Sequence, residues 1–223
     1  MLVNALAALG FVATATAAAL PSSCNSYTSS ALLALVNARG TGERQGESVG
    51  FRTMNAETLA KMKGGKIYNV VYPAGLDQNS ASGTEDLLKH VRDTLTSNPS
   101  ECFILEGYSQ GASLVVDALP KLAGAEAAAV KGVFLIGDPR RKANQDCNID
   151  SKGGTSNKDS NGFLVSRGTI PDNWVPKTLD VCAQGDGVCD DRIPGVITPP
   201  HTSYPSDATV QSIGEKFITK SLA

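Results

Sequence analysis

Cys102-Phe103-Ile104-Leu105-Glu106-Gly107-Tyr108-Ser109-Gln110-Gly111 is the stretch on which the reading of this chain turns. An apolar run of strand-forming residues, Phe103 to Leu105, halts at Gly107, and beyond Gly111 the succession Ala112, Leu114, Val115, Val116, Ala118, Leu119 favours a helix. The spacing predicts a strand that runs into a helix through a turn too tight for side chains on its flanks. Gly107 and Gly111 bracket Ser109 in a G-x-S-x-G pattern, and glycine at both places lets neighbouring backbones approach while the serine is held out at the tip. So short a pattern also arises by chance, so the strand before it and the helix after it carry as much of the reading as the glycines do. A serine presented this way needs a base, an acid and oxyanion donors from elsewhere in the chain.

Outward from the elbow, strand and helix patterns alternate. Ala31 to Ala38 is an apolar run emptying into the loop Arg39-Gly40-Thr41-Gly42-Glu43, and Phe51 to Met62 has mostly helical spacing. Lys66 to Tyr72 reads as a strand, Gly83 to Ser97 as an amphipathic helix and Lys131 to Ile136 as another buried strand. This order argues for a parallel sheet with helices on both faces, an α/β fold in three layers. Cys147 to Gly162, rich in Asn, Asp, Ser and Gly, reads as a solvated surface loop, because it lacks the order of ligands that a calcium loop needs. Thr178 to Val181 gives a last short strand, and Ser206 to Leu222 a closing helix. The third glycine of a dinucleotide fingerprint is missing after Gly40-x-Gly42, since Gln45 stands in its place.

The chain has 223 residues, enough for one α/β domain and its core. Lys and Arg number 20 against 22 Asp and Glu, and no basic run is present that would track a phosphate backbone, so nucleic acid is set aside as a partner. Residues Leu2 to Leu20 carry no charge, and both Ala15-Thr16-Ala17 and Ala17-Ala18-Ala19 place small residues where a signal peptidase reads. The expectation is a signal peptide over 1–19, cut after Ala17 or Ala19, followed by the domain over 20–223 and export from the cell. No later segment is long or apolar enough to span a bilayer.

In an exported chain the five cysteines read as disulfide partners with one left over. Cys182 and Cys189 would clip a short loop, an arrangement that the chain-entropy model values at about 2–3 kcal/mol. Cys24 with Cys102 would tie the N-terminal part of the domain to the elbow strand, leaving Cys147 as a buried thiol. The spacings are not C-x-x-C and His is scarce, so a zinc site is not expected.

A serine hydroxyl becomes a nucleophile when an imidazole takes its proton, and the chain offers only His90 and His201. His90 lies on the amphipathic helix away from its apolar stripe and reads as solvated. His201 follows the last strand, in keeping with the order serine, acid, histidine of α/β hydrolases. Asp180, Asp186, Asp190 and Asp191 all qualify by position for the acid. Asp186 is favoured because a Cys182–Cys189 bridge would hold it, although Gly185-Asp186-Gly187 is also good turn chemistry. The N–H of Gln110 is in place for an oxyanion, and Thr41 offers a second N–H and a hydroxyl. Ile193, Val196 and Ile197 are apolar residues beside His201 that suit an acyl chain; the same loop would equally pack on its own domain.

Ala38-Arg39-Gly40-Thr41-Gly42-Glu43, Gly107-Tyr108-Ser109-Gln110-Gly111, Cys182-x-x-x-Asp186-x-x-Cys189 and His201 together resemble the cutinase family of secreted serine esterases, from about Cys24 to the C-terminus. The likeness is strongest to the cutinase-like polyester hydrolases of yeasts, through Gly50-Phe51-Arg52-Thr53-Met54-Asn55, Val133-Phe134-Leu135-Ile136-Gly137 and Asp180-Val181-Cys182. The resemblance implies a five-stranded sheet without a lid domain, Ser109 as nucleophile with Asp186 and His201 as its partners, and Thr41 and Gln110 at the oxyanion hole. It also implies both disulfides. Cysteine Cys147 and the length of the 147–162 segment depart from the plant-pathogen cutinases. The expected activity is hydrolysis of cutin, aliphatic polyesters and short-chain esters by a monomer needing no metal or organic cofactor and no stable membrane association. Two rival readings are an acetylxylan esterase and a secreted binding or surface protein on a hydrolase scaffold.

Overall fold

The structure, a computed structural model, describes residues 33–192 and 195–222. In chain order they form β1 (Leu33–Ala38), α1 (Arg52–Lys61), β2 (Lys66–Asn69), α2 (Ala81–Ser97), β3 (Cys102–Tyr108), α3 (Gln110–Ala118), a short α4 (Gly124–Ala129), β4 (Val130–Ile136), β5 (Asn148–Asp150), β6 (Thr178–Cys182) and α5 (Ala208–Ser221). The strands make one parallel sheet in the order β2-β1-β3-β4-β6-β5. β1 and β3 are buried along their whole lengths and β4 along nearly all of its length, which is why they read as continuous apolar runs instead of alternating ones.

Helices cover both faces. Leu87, Leu88 and Val91 of α2 and Leu114, Val115 and Val116 of α3 pack on Val36, Phe103 and Leu105 of the sheet. On the opposite face Met54 of α1 and Val210 and Ile218 of α5 pack on Leu35, Ile104 and Phe134. α5 starts where the side chain of Asp207 accepts the N–H groups of Thr209 and Val210, a capping arrangement that supplies partners for otherwise orphaned donors. Among the described residues no helix is long and apolar enough to cross a membrane.

The α/β architecture expected from the sequence is present, with six strands among the described residues in place of five. The added strand, β5, arises within the stretch read as a solvated loop, and polar side chains with internal partners build it. The Asn148 amide donates to the carbonyls of Lys142 at 2.8 Å and Lys158 at 3.3 Å. Asp150 accepts the N–H groups of Lys152, Gly154 and Ser156 and the Ser156 hydroxyl. Burial pushes the Asp150 carboxyl up, but those hydrogen bonds outweigh it and hold it at about 2. A hydrophobicity pattern cannot register a strand whose inward residues are Asn and Asp.

Cys182 and Cys189 are joined in a disulfide with Cα atoms 5.8 Å apart, and Cys147 is a free, buried thiol, both as expected. The expected bridge from Cys24 to Cys102 involves a residue outside the described ones, as does the leader over 1–19.

Candidate active site

Ser109 occupies the single residue between β3 and α3 with φ 56° and ψ −116°, a left-handed conformation that costs a side-chain-bearing residue about 1–3 kcal/mol. The surroundings impose it: the Ser109 N–H donates to the carbonyl of Ile136 on β4, and the next residues enter the helix at once. A Cβ added to Gly111 would lie 2.0 Å from the Ala38 carbonyl oxygen, and one on Gly107 would lie 2.6 Å from the Cα of Ala112. Only glycine lets the elbow close against β1.

The Ser109 Oγ is 2.9 Å from His201 Nε2, and His201 Nδ1 is 2.9 Å from each carboxylate oxygen of Asp186. A carboxylate only accepts, so Nδ1 carries the ring proton and Nε2 is left to accept from the serine hydroxyl. All three side chains are buried, at 8%, 3% and 0% exposure for Ser109, His201 and Asp186, so little water competes for these bonds. His201 sits on a 3-10 turn, Pro199–Thr202, and the Tyr108 hydroxyl donates to its carbonyl at 2.7 Å. The Asp186 Oδ1 accepts the N–H of Val188 at 2.9 Å, and Oδ2 accepts the hydroxyl of Tyr204 at 2.5 Å. Burial and the Asp186 charge push Tyr204 well above its ordinary range, so it remains a donor.

The other three candidate acids are engaged elsewhere. Asp180 lies on β6 in a buried ion pair with Arg141, and burial pushes it up to about 6 against the pull of that guanidinium. Asp190 accepts the Gly185 N–H, and Asp191 accepts the Asn161 amide. His90 is not solvated as expected: it is half-buried, its ring stacked on Tyr68 with centroids 3.5 Å apart and edge-on to Phe103.

The Thr41 hydroxyl accepts from Gln78 Nε2 at 3.0 Å and donates to Gln110 Oε1 at 3.2 Å, which places it beside the elbow. Its loop is fixed from below. The buried Arg39 donates to the carbonyls of Glu43, Val70 and Tyr72 and lies over the Tyr72 ring. Glu43 accepts the Gly40 N–H, the Ser48 hydroxyl and the Val49 N–H.

Above the serine opens a cleft of about 410 Å³ whose lining includes Leu76, Pro139, Phe163, Val188 and Ile197 together with Thr41, Gln78 and His201. Of the three residues expected to meet an acyl chain, Ile197 lines this cleft, Val196 is exposed without lining it, and Ile193 lies outside the described residues. A second, polar cleft of about 460 Å³, with Asp77, Gln110, Ser113, Asp117, Arg140 and Arg167 among its lining, shares Gln78 with the first.

Sequence reasoning missed Tyr204, Tyr108, Gln78 and Gly137. Gly137 has φ +59°, and a Cβ there would lie 2.8 Å from His201 Cε1. The only sign of it in the sequence is the Gly137-Asp138-Pro139 triplet that closes β4, a pattern that by itself marks no more than the end of a strand.

A hydroxyl held in this way on a helix-flanked parallel sheet defines an α/β hydrolase. The Cutinase family model matches residues 29–222, and the chain belongs to the cutinase family; it is a carboxylic ester hydrolase. A cutinase-like protein from Cryptococcus sp. is similar in structure, with 51% identity and a TM-score of 0.84 over 87% of this chain and 97% of that one. A carboxylesterase from Mycobacterium tuberculosis is 31% identical over 163 residues, 70% of this chain and 68% of its own length. The catalytic core of an acetyl xylan esterase from Trichoderma reesei, 22% identical with a TM-score of 0.69 over 85% of this chain and 98% of that one, shares the fold.

Proposed function

We propose that Ser109 is the nucleophile of this esterase, His201 its general base and then general acid, and Asp186 the group that orients the imidazole. The observation that carries this is the unbroken series from Ser109 Oγ to His201 Nε2 and from His201 Nδ1 to Asp186, each step 2.9 Å. As Oγ bonds to the ester carbonyl carbon, its proton passes to Nε2, and Asp186 stabilises the imidazolium. The carbonyl oxygen, now negative, is met by the N–H groups of Gln110 and Thr41 and by the Thr41 hydroxyl, which turns its proton from Gln110 Oε1 to the oxyanion while still accepting from Gln78. Collapse breaks the bond to the alcohol oxygen, which takes the proton from Nε2. Water then repeats the sequence on the acyl-serine, releasing the acid and restoring the hydroxyl.

The cleft suits an aliphatic acyl group, since Leu76, Phe163 and Ile197 expose apolar surface at its rim. Substrates are esters of cutin, aliphatic polyesters and short-chain esters, hydrolysed outside the cell by a monomer released from its leader at Ala17 or Ala19. The test is a series of initial rates on p-nitrophenyl esters from acetate to palmitate, beside monomer release from cutin and from xylan acetate. Activity on esters longer than acetate with labelling of Ser109 by an organophosphonate is expected. Release confined to xylan acetate would replace the reading with an acetylxylan esterase, and absence of both turnover and labelling with a binding protein.

A further inference from the structure

Glu106 stands three residues before Ser109 on the elbow strand, with its side chain wholly buried. Cys102, Ile104 and Tyr108 of β3 face the layer of α1 and α5, so an acid occupies a place where alternation calls for an apolar residue. Its Oε2 accepts the side-chain amides of Asn37 on β1 and Asn55 on α1, each at 3.0 Å. Asn37 in turn accepts the Ser48 N–H at 2.9 Å, the Ser48 hydroxyl donates to Glu43 at 2.8 Å, and Glu43 accepts the N–H of Gly40, next to Thr41. A second branch runs from Asn55 to Glu47 at 3.2 Å. One buried carboxyl oxygen thus ends a continuous hydrogen-bond path that joins the strand of the serine to the loop of the oxyanion donor.

The groups facing this carboxyl are neutral but for one. β1 contributes Asn37, α1 contributes Asn55, β4 sets Phe134 at the paired position, and the loop contributes Glu47, a like charge. Among the described residues neither Lys nor Arg pairs with it, and its Oε1 meets no protein partner. Burial pushes Glu106 up to about 8, against the amides of Asn55 and Asn37 and with Glu47 adding to the rise. At neutral pH the side chain is therefore an uncharged acid.

We propose that neutral Glu106 is the positioning residue of the oxyanion loop, and that loss of its proton loosens that loop and sets the alkaline limit of catalysis. This rests on the assignment of Ser109 and Thr41 made above. An ionised carboxyl under α1 beside Glu47 has no cation to offset it, and relief comes from admitting water between β3 and the loop, which displaces Thr41.

The test is a pH-stat measurement of kcat and KM on a soluble short-chain ester from pH 6 to 10, with the rate of Ser109 labelling by an organophosphonate followed in parallel. The native enzyme should lose kcat reversibly above about pH 8, with KM changing less than twofold. Glu106→Gln, which keeps the shape and cannot ionise, should retain kcat within about threefold at pH 7 and carry it at least one pH unit further. Glu106→Leu should lower kcat tenfold or more at pH 7. If the leucine variant does not fold, the glutamine profile decides alone. A native profile flat to pH 10, or a Glu106→Gln profile that superimposes on the native one, would overturn the proposal. Failure of the Ser109 assignment would look different: no labelling at any pH.

Discussion

The Tyr204 hydroxyl lies 2.5 Å from Asp186 Oδ2, so the carboxylate facing His201 is itself held by a donor three residues beyond that histidine. Tyr204 also accepts the Ala183 N–H at 2.9 Å, which fixes its hydroxyl to the start of the disulfide loop. The disulfide was expected to hold the acid; the tyrosine adds a second fastening that reaches the carboxylate itself. Tyr204→Phe should reduce kcat by about tenfold with little change in KM, the effect of losing one hydrogen bond to a charged group. A rise in KM alone would instead assign Tyr204 to the cleft wall.

Ser109→Ala and His201→Ala should each abolish turnover while leaving circular dichroism unchanged, because glycines and not the hydroxyl set the elbow. His90→Ala should keep full activity yet lower stability by about 1 kcal/mol through loss of its stack on Tyr68. Stopped turnover in the His90 variant would remove His201 from its role.

Removing the Thr41 hydroxyl should cost roughly a hundredfold in kcat, the usual scale for one oxyanion donor. Gln78→Ala should cost about tenfold, since Gln78 acts through the Thr41 hydroxyl that it holds at 3.0 Å. The double variant should be no slower than Thr41→Ala alone. Additive losses would mean that the two residues act separately.

Gly137→Ala should slow turnover at least tenfold in a folded protein, because its new methyl would press on His201 Cε1 and its φ of +59° disfavours a side chain. Unchanged kcat would show that the imidazole has room to spare.

Thermal stability should fall as pH rises from about 6 to 9. Glu106, pushed up to about 8, binds its proton more tightly folded than unfolded across this window, whereas Asp180, pushed up to about 6, loses its share mainly below it. Such groups stabilise fully below their unfolded values, and the contribution is lost as pH passes the folded ones. For Glu106 the loss over this range is on the order of 2 kcal/mol, or about 5 °C in Tm for a domain of this size. A Tm that climbs toward pH 9 would contradict the burial of these acids.

What the sequence disclosed followed the range of the interactions. The elbow was legible because its requirements are local, with glycine needed within two residues of Ser109. His201 was legible because the chain offers only two histidines. Gln78, 37 residues from Thr41, and Tyr204, 18 from Asp186, were not, because neither belongs to a pattern and each acquires its role only when the sheet brings the loops together. Position without packing likewise misplaced Val196, which stands by the cleft but outside it, and β5, whose inward side chains are polar.

β5 also bears on how copies of this protein behave toward one another. Its three residues cap β6, and among the described residues the sheet is bounded by two short margins, this one and the four residues of β2. Were the segment carrying Asn148 to Asp150 shortened, β6 would offer a row of unpaired backbone donors and acceptors to any neighbouring molecule, the usual route to fibrous aggregation. The polar segment thus keeps the margin of β6 covered, and trimming it to make a leaner catalyst should yield a protein that clouds on concentration.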